Sequence, residues 1–429
     1  MVEIFQVGTI HILYHIHFTE LDNLCYFRIH YDYVTYMNIV MVAPFAYSVK
    51  GTVRARMAPI AEELVLRGHS VHIVIPPWDN PQEGGKTQQN NGVMYYHIDI
   101  KEDSPIEHLK HIWRTIKKVQ SLSPDLIHAY KPIGESGMAA AYFTLFSKCP
   151  VVIDTDDWEG DGGQNKRSQR SRLVQILLHL QEKFIPRLVD SVTIASRTLE
   201  TQMWGYKVPP EQTFYVPNGQ ASDRININGA DSNIVRQTLK IGDAPIVLLY
   251  TRFFEYDLKR AVDLFVRIKD QHPNTEFIVV GKGKDGEHDE FAAEIETRNL
   301  ADSTHMMGWV VFKELPNYFA AADVAVYPFA DTLINRSKCP AKLTELMLAG
   351  IPVVGEDVGQ ISEYIEHDVS GLLVPSGDQQ TFADSVAALL ADDTKRESIG
   401  KSARDRILTE FSWSSVTDSV EQAYKYVTN

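Results

Sequence analysis

The sequence predicts an α/β protein with two doubly wound parallel sheets. Its 429 residues exceed one typical hydrophobic core and suit two domains of about 200 residues each. Short apolar runs alternate with helical patterns along most of the chain, which is typical of parallel strands joined by crossover helices. One series of such strands ends before the segment VPNG, residues 216–219, and a second series starts after it. Two sheets joined there would form an interdomain cleft with a hinge.

The first series predicts an N-terminal domain over residues 37–216, and the second a C-terminal domain over residues 217–411. The strands of the first are NIVMVAP, GHSVHIVIP, PDLIHAYK, CPVVIDTDD and SVTIAS. The strands of the second are PIVLLYTR, TEFIVVG, DVAVYPF, IPVVGED and GLLVPS. The last segment, residues 412–429, has the apolar spacing of a helix.

Residues 1–36 stand apart from this pattern. They are crowded with His and Tyr, and they lack the basic start and small-residue cleavage pattern of a signal peptide. Met37 directly precedes the first predicted strand. We therefore expect the true start at Met37 and a poorly ordered extension before it, with a functional tail as the alternative.

Composition excludes several classes of protein. A net charge of −14 disfavours general nucleic-acid binding, which needs a basic surface. The three cysteines, Cys25, Cys149 and Cys339, have no paired spacing, so neither a disulfide framework nor a zinc site is predicted. No run reaches the roughly 20 apolar residues of a membrane-spanning helix. We expect a cytoplasmic protein without nucleic-acid partners.

The segment NRSKCPAKLTELMLAGIPVVGED holds the most informative pattern. Pro340 suits the first position of a helix. Lys338 and Lys342 place positive charge at the positive end of that helix dipole, which is unfavourable unless an anion binds there. Glu345 faces the same end and could accept hydrogen bonds from two ribose hydroxyls. The alternative is an ordinary solvated face of lysines and glutamates.

This element resembles the donor-binding element of the retaining family-4 glycosyltransferases, which have the GT-B fold. Further segments agree in order and spacing over roughly residues 37–428, among them FYVPNG, IVLLYTRFFEYDLK, EFIVVGKGKDGE, MGWVVFKELPNYFAAADVAVYPF and VGQISEYIEHDVSGLLVPSGD. The resemblance implies two Rossmann-like domains that face a cleft, with the acceptor on the N-terminal side and the last helix crossing back onto the first domain. It also implies sugar transfer from a UDP- or GDP-sugar to a sugar, glycolipid or small-molecule acceptor, with retention of configuration, without a metal or a cofactor.

The resemblance assigns roles to individual residues. Arg252 and Lys259 would hold the diphosphate, although their interval is longer than in the usual form and Arg260 could replace Lys259. The alternative for Arg252 is a structural role, as a helix cap or in an ion pair with Glu255. The remaining donor-binding positions are Gly51, Gly281, Gly283, Val310, Lys338, Lys342 and Glu345.

Two positions depart from the family pattern. Ser337 stands where the first of the family's two glutamates would contact the transferred sugar. Asp156 stands in place of the active-site His, and Asp157 matches the Asp that follows it. Both acids are expected at the end of a strand and are assigned to catalysis. A D-x-D string also occurs as a metal motif, but in transferases of a different fold. The missing glutamate leaves the donor sugar open, and Asp156 is not expected to act as the family's His does.

A basic, amphipathic stretch covers residues 166–188. Its apolar residues recur at helical spacing after a cluster of Lys and Arg. Related enzymes use such a helix to contact anionic membranes, so peripheral membrane contact is one expectation. A core-facing stripe, or a basic site for a phosphorylated acceptor, is the alternative.

Two other functions keep the same fold. One is a nucleotide-sugar 2-epimerase, which needs acids and a His in a different arrangement. The other is a non-catalytic nucleotide-sugar-binding protein, because of the two departures from the pattern.

Overall fold

The computed structural model describes residues 4–429 except residues 8–9, 22–23, 50, 101–104 and 168–169. The strands of the described residues are β1 (Ile4–Val7), β2 (Ile10–Leu21), β3 (Leu24–Thr35), β4 (Asn38–Val42), β5 (Ser70–Ile75), β6 (Thr87–Asn90), β7 (Val93–His97), β8 (Leu126–Tyr130), β9 (Val151–Thr155), β10 (Ser191–Ile194), β11 (Thr213–Tyr215), β12 (Ile246–Tyr250), β13 (Glu276–Val280), β14 (Thr304–Gly308), β15 (Val324–Tyr327), β16 (Val353–Glu356) and β17 (Leu372–Val374).

The α-helices of the same residues are α1 (Ala58–Leu66), α2 (Pro105–Ser121), α3 (Gly134–Phe146), α4 (Arg172–Phe184), α5 (Arg197–Gly205), α6 (Ser232–Leu239), α7 (Leu258–Gln271), α8 (Glu287–Thr297), α9 (Leu315–Ala321), α10 (Leu333–Ser337), α11 (Ala341–Leu348), α12 (Ile361–Tyr364), α13 (Gln379–Leu390), α14 (Asp393–Glu410) and α15 (Trp413–Thr428). None of the helices in this described part is both long and apolar enough to cross a membrane.

The two large sheets are doubly wound. One has the strand order β11-β10-β9-β8-β4-β5-β7-β6 and the other β14-β13-β12-β15-β16-β17. Neighbours pair in parallel throughout the second sheet, and β6 runs antiparallel to β7 at the edge of the first. The chain changes winding direction between β4 and β8, and again between β12 and β15. Ligands of such sheets bind beside these switch points, at the carboxyl ends of the strands. The predicted fold class is confirmed.

The core explains why these segments become strands. Every residue of β12 and β15 is buried, as expected for parallel strands covered on both faces by helices. Helix α7 begins where the Asp257 side chain accepts a hydrogen bond from the Arg260 N–H. It packs on the sheet through Phe265, whose ring stacks on that of Phe277 with centroids 4.2 Å apart.

The chain divides by its internal contacts into two units. One comprises residues 1–153, 188–190 and 427–429, and the other residues 154–187 and 191–426. The predicted domain boundary at residue 216 falls between β11 and β12, and it stays a prediction, as does the return of the last helix to the first domain. Strands β1 to β3 form a separate antiparallel sheet. That the protein folds and works without this N-terminal extension also stays a prediction.

Candidate active site

The loops after β12, β13 and β14 meet at the carboxyl edge of the six-stranded sheet. The Thr251 N–H donates to the Val280 carbonyl at 2.9 Å, and the Gly281 N–H donates to the Gly308 carbonyl at 2.8 Å. Gly281 has a φ of 142°, and a Cβ there would lie 1.9 Å from the Thr251 carbonyl oxygen. The close approach of two strand ends therefore requires this glycine. A contact between Gly281 and a donor stays a prediction.

Arg252 follows β12 at this edge of the sheet, and its side chain is exposed to solvent. The turn after it includes buried Phe253 at a φ of 64°, and the Phe253 N–H donates to the Thr251 hydroxyl at 2.6 Å. Arg252 and Lys259 are both exposed, and neither forms an ion pair within the part of the chain that the structure describes. The alternative pairing of Arg252 with Glu255 is thus not observed. Both cations remain available to an anion.

Arg260 has a structural partner instead. Its Nη2 lies 2.7 Å from Oε2 of Glu356, a fully buried carboxylate whose other oxygen accepts the Gly377 N–H at 3.0 Å. This ion pair joins the start of α7 to the end of β16. Lys259 is therefore the better partner for Arg252 at a diphosphate.

Lys338 is neutralised by a carboxylate that the sequence did not reveal. Its Nζ lies 2.8 Å from Oε1 of Glu255, and the same ammonium group lies 4.7 Å from the centre of the Phe254 ring. Both charged side chains are nearly buried, with 12% and 9% of their surface exposed. A direct contact of Lys338 with a phosphate stays a prediction. Such a contact would compete with the ion pair between Lys338 and Glu255.

Lys342 lies in a crowded electrostatic environment. Its Nζ is 3.2 Å from the centre of the Tyr250 ring. Burial lowers its pKa to about 7; Glu345 opposes this shift and Arg252 adds to it. An anion bound beside Lys342 would oppose this lowering of its pKa and favour the charged form.

Glu345 is buried, and both of its carboxylate oxygens accept hydrogen bonds. Oε1 accepts from the Arg224 Nη2 at 3.1 Å, and Oε2 accepts from the Tyr250 hydroxyl at 3.1 Å. Arg224 in turn lies over the Phe312 ring, 4.1 Å from its centre. A carboxylate has about four lone-pair positions, so these two partners orient Glu345 without using all of its capacity to accept hydrogen bonds. Binding of ribose hydroxyls by Glu345 stays a prediction. No sequence pattern pointed to Arg224, and Tyr250 was indicated only by its position at the end of a predicted strand.

The helix that carries Glu345 begins one residue later than predicted. Pro340 has non-helical backbone angles and precedes α11 rather than occupying its first position. Its neighbour Cys339 is held by Asn218 of the VPNG segment, whose N–H donates to Sγ at 3.0 Å and whose Nδ2 donates to the Cys339 carbonyl at 2.9 Å. Two distant segments thereby fix the loop before the helix.

Ser337 supplies no group to replace the missing glutamate. Its buried hydroxyl donates to the Ile334 carbonyl at 2.8 Å, and its own carbonyl accepts from the Ser196 hydroxyl at 2.8 Å. The side chain is therefore engaged within the α10 turn.

Asp156 and Asp157 follow β9 and are half-buried. Asp154, two residues earlier, is fully buried and accepts a hydrogen bond from the Thr193 hydroxyl at 2.7 Å. Asp154 therefore links β9 to β10, whereas Asp156 and Asp157 lie in the loop after β9. Catalytic roles for Asp156 and Asp157 stay predictions.

Glu182, a residue that the sequence did not single out, holds this loop in place. Its Oε1 accepts the Glu159 N–H at 2.6 Å, and its Oε2 accepts the Gly160 N–H at 3.0 Å and the Tyr206 hydroxyl at 3.1 Å. Burial raises the pKa of Glu182 to about 7 against the effect of these hydrogen bonds. Glu182 therefore positions the backbone just after the two aspartates.

Three further residues, Gly51, Gly283 and Val310, were predicted to bind the donor. Gly283 lies close to Glu287, since a Cβ would meet the Glu287 Oε2 at 2.5 Å, and Val310 is half-buried after β14. Gly51 belongs to the unit of residues 1–153. Donor contacts at these three residues stay predictions.

The apolar stripe of α4 is exposed. Leu173, Ile176, Leu177, Leu180 and Phe184 show 68%, 49%, 50%, 41% and 47% of their surface, respectively. The structure therefore does not bear out the core-facing alternative for these side chains.

Comparisons with known proteins assign the chain to a family. The model of the glycosyl transferase 4-like domain matches residues 51–219, and that of glycosyl transferases group 1 matches residues 231–406. A Salmonella typhimurium lipopolysaccharide 1,2-N-acetylglucosaminetransferase is 23% identical over 60% of this chain and 68% of its own length. A Mycolicibacterium smegmatis phosphatidyl-myo-inositol mannosyltransferase is 24% identical over 91% of this chain and 94% of its own length.

Solved structures show the same fold. Sucrose-phosphate synthase from Thermosynechococcus elongatus superposes with a TM-score of 0.68 at 19% identity, covering 90% of this chain and 98% of its own. Anabaena HepE in complex with UDP and glucose gives 0.68 at 17% identity, over 91% and 100%. The two family models together span most of the chain, and the chain therefore belongs to the group 1 glycosyltransferases, with their GT-B fold.

Proposed function

We propose that this protein moves a sugar from a nucleotide-diphosphate sugar to an acceptor hydroxyl, with retention of anomeric configuration and without a metal or cofactor in the transfer. The observation that carries the proposal is the cluster at the switch between β12 and β15. There the charge of exposed Arg252 helps to lower the pKa of Lys342, and the charge of Glu345 acts in the opposite direction. Glu345 also accepts a hydrogen bond from the Tyr250 hydroxyl. Cations and an oriented carboxylate at this edge suit a diphosphate joined to a ribose.

The diphosphate is the leaving group, so its charge grows as the anomeric bond breaks. Arg252, Lys259 and Lys342 stabilise that charge because cations placed where charge develops lower the energy of the transition state. Glu345 binds the ribose hydroxyls. The acceptor attacks the same face from which the diphosphate leaves, and the departing phosphate assists proton removal. This mechanism does not require a general base on the opposite face.

Relatives support the substrate classes without deciding between them. HepE is described in complex with UDP and glucose, whereas a Mycobacterium tuberculosis relative, which matches over 58% of its own length, is named as GDP-mannose-dependent. Names of other relatives include lipopolysaccharide and phosphatidylinositol acceptors. We accordingly propose a UDP- or GDP-sugar donor and a sugar, glycolipid or small-molecule acceptor in the cytoplasm.

The exposed face of α4 supports peripheral contact with the inner face of the membrane. Arg170 and Arg172 precede an apolar stripe that is open to solvent, which is the pattern of a helix that binds anionic lipid. Replacing Leu177 by Asp should reduce sedimentation with anionic vesicles, whereas replacing Leu66, an apolar residue 80% exposed on α1, should not. Equal binding by both variants would contradict this contact.

A panel of UDP-, GDP- and ADP-sugars tests the proposed reaction. Slow release of free nucleotide from one donor, accelerated by an acceptor, supports transfer. An epimerised donor would identify a 2-epimerase, and binding without turnover would identify a non-catalytic binder. Either of the last two results would overturn the proposal.

A further inference from the structure

We propose that His108, His111 and Glu135 form a binding site for one divalent transition-metal ion, with Zn²⁺ as the best match. The potential ligand atoms of these three side chains all lie within 4.8 Å of one another. The His108 Nδ1 and the Glu135 Oε1 are 2.6 Å apart. The site lies in the unit of residues 1–153, so it is separate from the proposed diphosphate cluster and goes beyond the proposed transfer reaction.

Local structure brings the three residues together. His108 and His111 are three residues apart on α2, a spacing that places both side chains on one face of a helix. Glu135 lies in the first turn of α3, directly after β8. Two imidazoles and one carboxylate form a ligand set that zinc uses when its fourth position is left to water.

The state of His111 is the second observation that points to a ligand. Only 1% of this residue is exposed, and neither ring nitrogen has a hydrogen-bond partner within the described residues. A neutral imidazole has one N–H and one lone pair to satisfy, and most buried polar groups are satisfied. A metal ion bound to one nitrogen would supply a partner that the described residues do not.

The surroundings suit a metal-binding imidazole. A carboxylate near the second ring nitrogen commonly orients a zinc-bound His, and the His111 Nε2 lies 3.9 Å from the Glu107 Oε2. Lys110 pairs with the Glu107 Oε1, and the Arg114 Nη1 lies 3.8 Å from the same Oε2 that faces His111, so cations offset part of the negative charge of the carboxylates.

The required movement is small. Bond lengths of about 2.0–2.2 Å in a tetrahedral zinc site separate neighbouring ligand atoms by about 3.3 Å. His108 and Glu135 must therefore open slightly around the ion, and His111 must approach it. The bound ion would tie the first two turns of α2 to the first turn of α3.

Zinc titration of the full chain tests the site. Chelator-treated, dialysed protein is titrated with ZnCl₂ by calorimetry, and with CoCl₂ by visible absorption. His108→Gln and Glu135→Gln should each lose one bound equivalent and the tetrahedral Co²⁺ absorption. His72→Gln, which removes an imidazole from the same unit, should keep both. Zn²⁺ should also raise the Tm of the wild type and of His72→Gln, but not of His108→Gln.

The comparison between variants guards against other histidines. The sequence also has His11, His15, His17 and His30 near its start, so the readout is the equivalent lost and not the total bound. His108 is chosen because its side chain is 39% exposed, and its replacement should leave the fold intact. Equal stoichiometry in the wild type and in both cluster variants would overturn the metal site and leave an ordinary His–Glu pair. No sugar transfer enters this test, so its failure is distinct from failure of the proposed function.

Discussion

Replacement of Arg252 by Ala tests the diphosphate site most directly. Arg252 is exposed and has no ion-pair partner among the described residues, so its loss should leave the Tm unchanged. Removing one preorganised group from a developing charge costs about 2.7–4 kcal/mol, a fall of about 10²–10³ in turnover. Initial rates with the preferred donor sugar measure this fall.

Lys342 adds a second signature. Because the charge of Arg252 helps to lower the pKa of Lys342 to about 7, its removal should raise that pKa. The decline of kcat/KM on the alkaline side should then move to higher pH in the variant. A general loss of folded protein would not produce this shift.

Arg267→Ala is the matched control. Arg267 is also exposed on the same unit, on α7, and its side chain donates to the Gln380 side chain at 3.2 Å. Its turnover should match that of the wild type. Unchanged turnover in the Arg252 variant, or an equal fall in both, would refute the assignment.

The remaining predictions concern the ribose, the stereochemistry, the aspartate loop and the extension. Glu345→Gln loses charge-assisted hydrogen bonds worth roughly 1.5–3 kcal/mol each, so nucleotide affinity by calorimetry should drop; equal affinity would contradict the ribose role. Proton NMR should show an α-linked product from an α-linked donor, and Asp156→Asn should lose less turnover than Arg252→Ala; a β-linked product, or the reverse order of rates, would point to base catalysis. Burial raises the pKa of Glu182 from 4.5 to about 7, so between these two pH values the folded state binds more protons than the unfolded state. The contribution of Glu182 to the free energy of unfolding should therefore fall by up to roughly 3 kcal/mol as the pH rises through this range. The difference in free energy of unfolding between wild type and Glu182→Gln should show this slope, and a pH-independent difference would exclude it. A protein starting at Met37 should keep the Tm and turnover of the full chain; a clear loss of either would show that the extension is integral.

Sequence reasoning predicted the features that depend on local pattern. Alternating apolar runs and helices predicted the two doubly wound sheets because each element must bury its own apolar face. A parallel strand also has a defined carboxyl end, so Arg252 and Asp156 could be placed after β12 and β9 from the sequence alone. The cationic start of α11 was visible because its charges oppose the helix dipole. The family followed from the order of these motifs.

Only the tertiary structure decided which side chains are partners. Glu255 and Lys338 are 83 residues apart, and Arg224 and Glu345 are 121 apart. No local period reports such a pair, since it forms only when the strand order brings separate loops to one edge of the sheet. Burial is likewise a property of the assembled fold: it lowers the pKa of Lys342 and raises that of Glu182. The sequence thus determined which helices and strands form and which charged residues lie at their ends. The packing of distant loops determined which of those residues form ion pairs and how far burial shifts their pKa values.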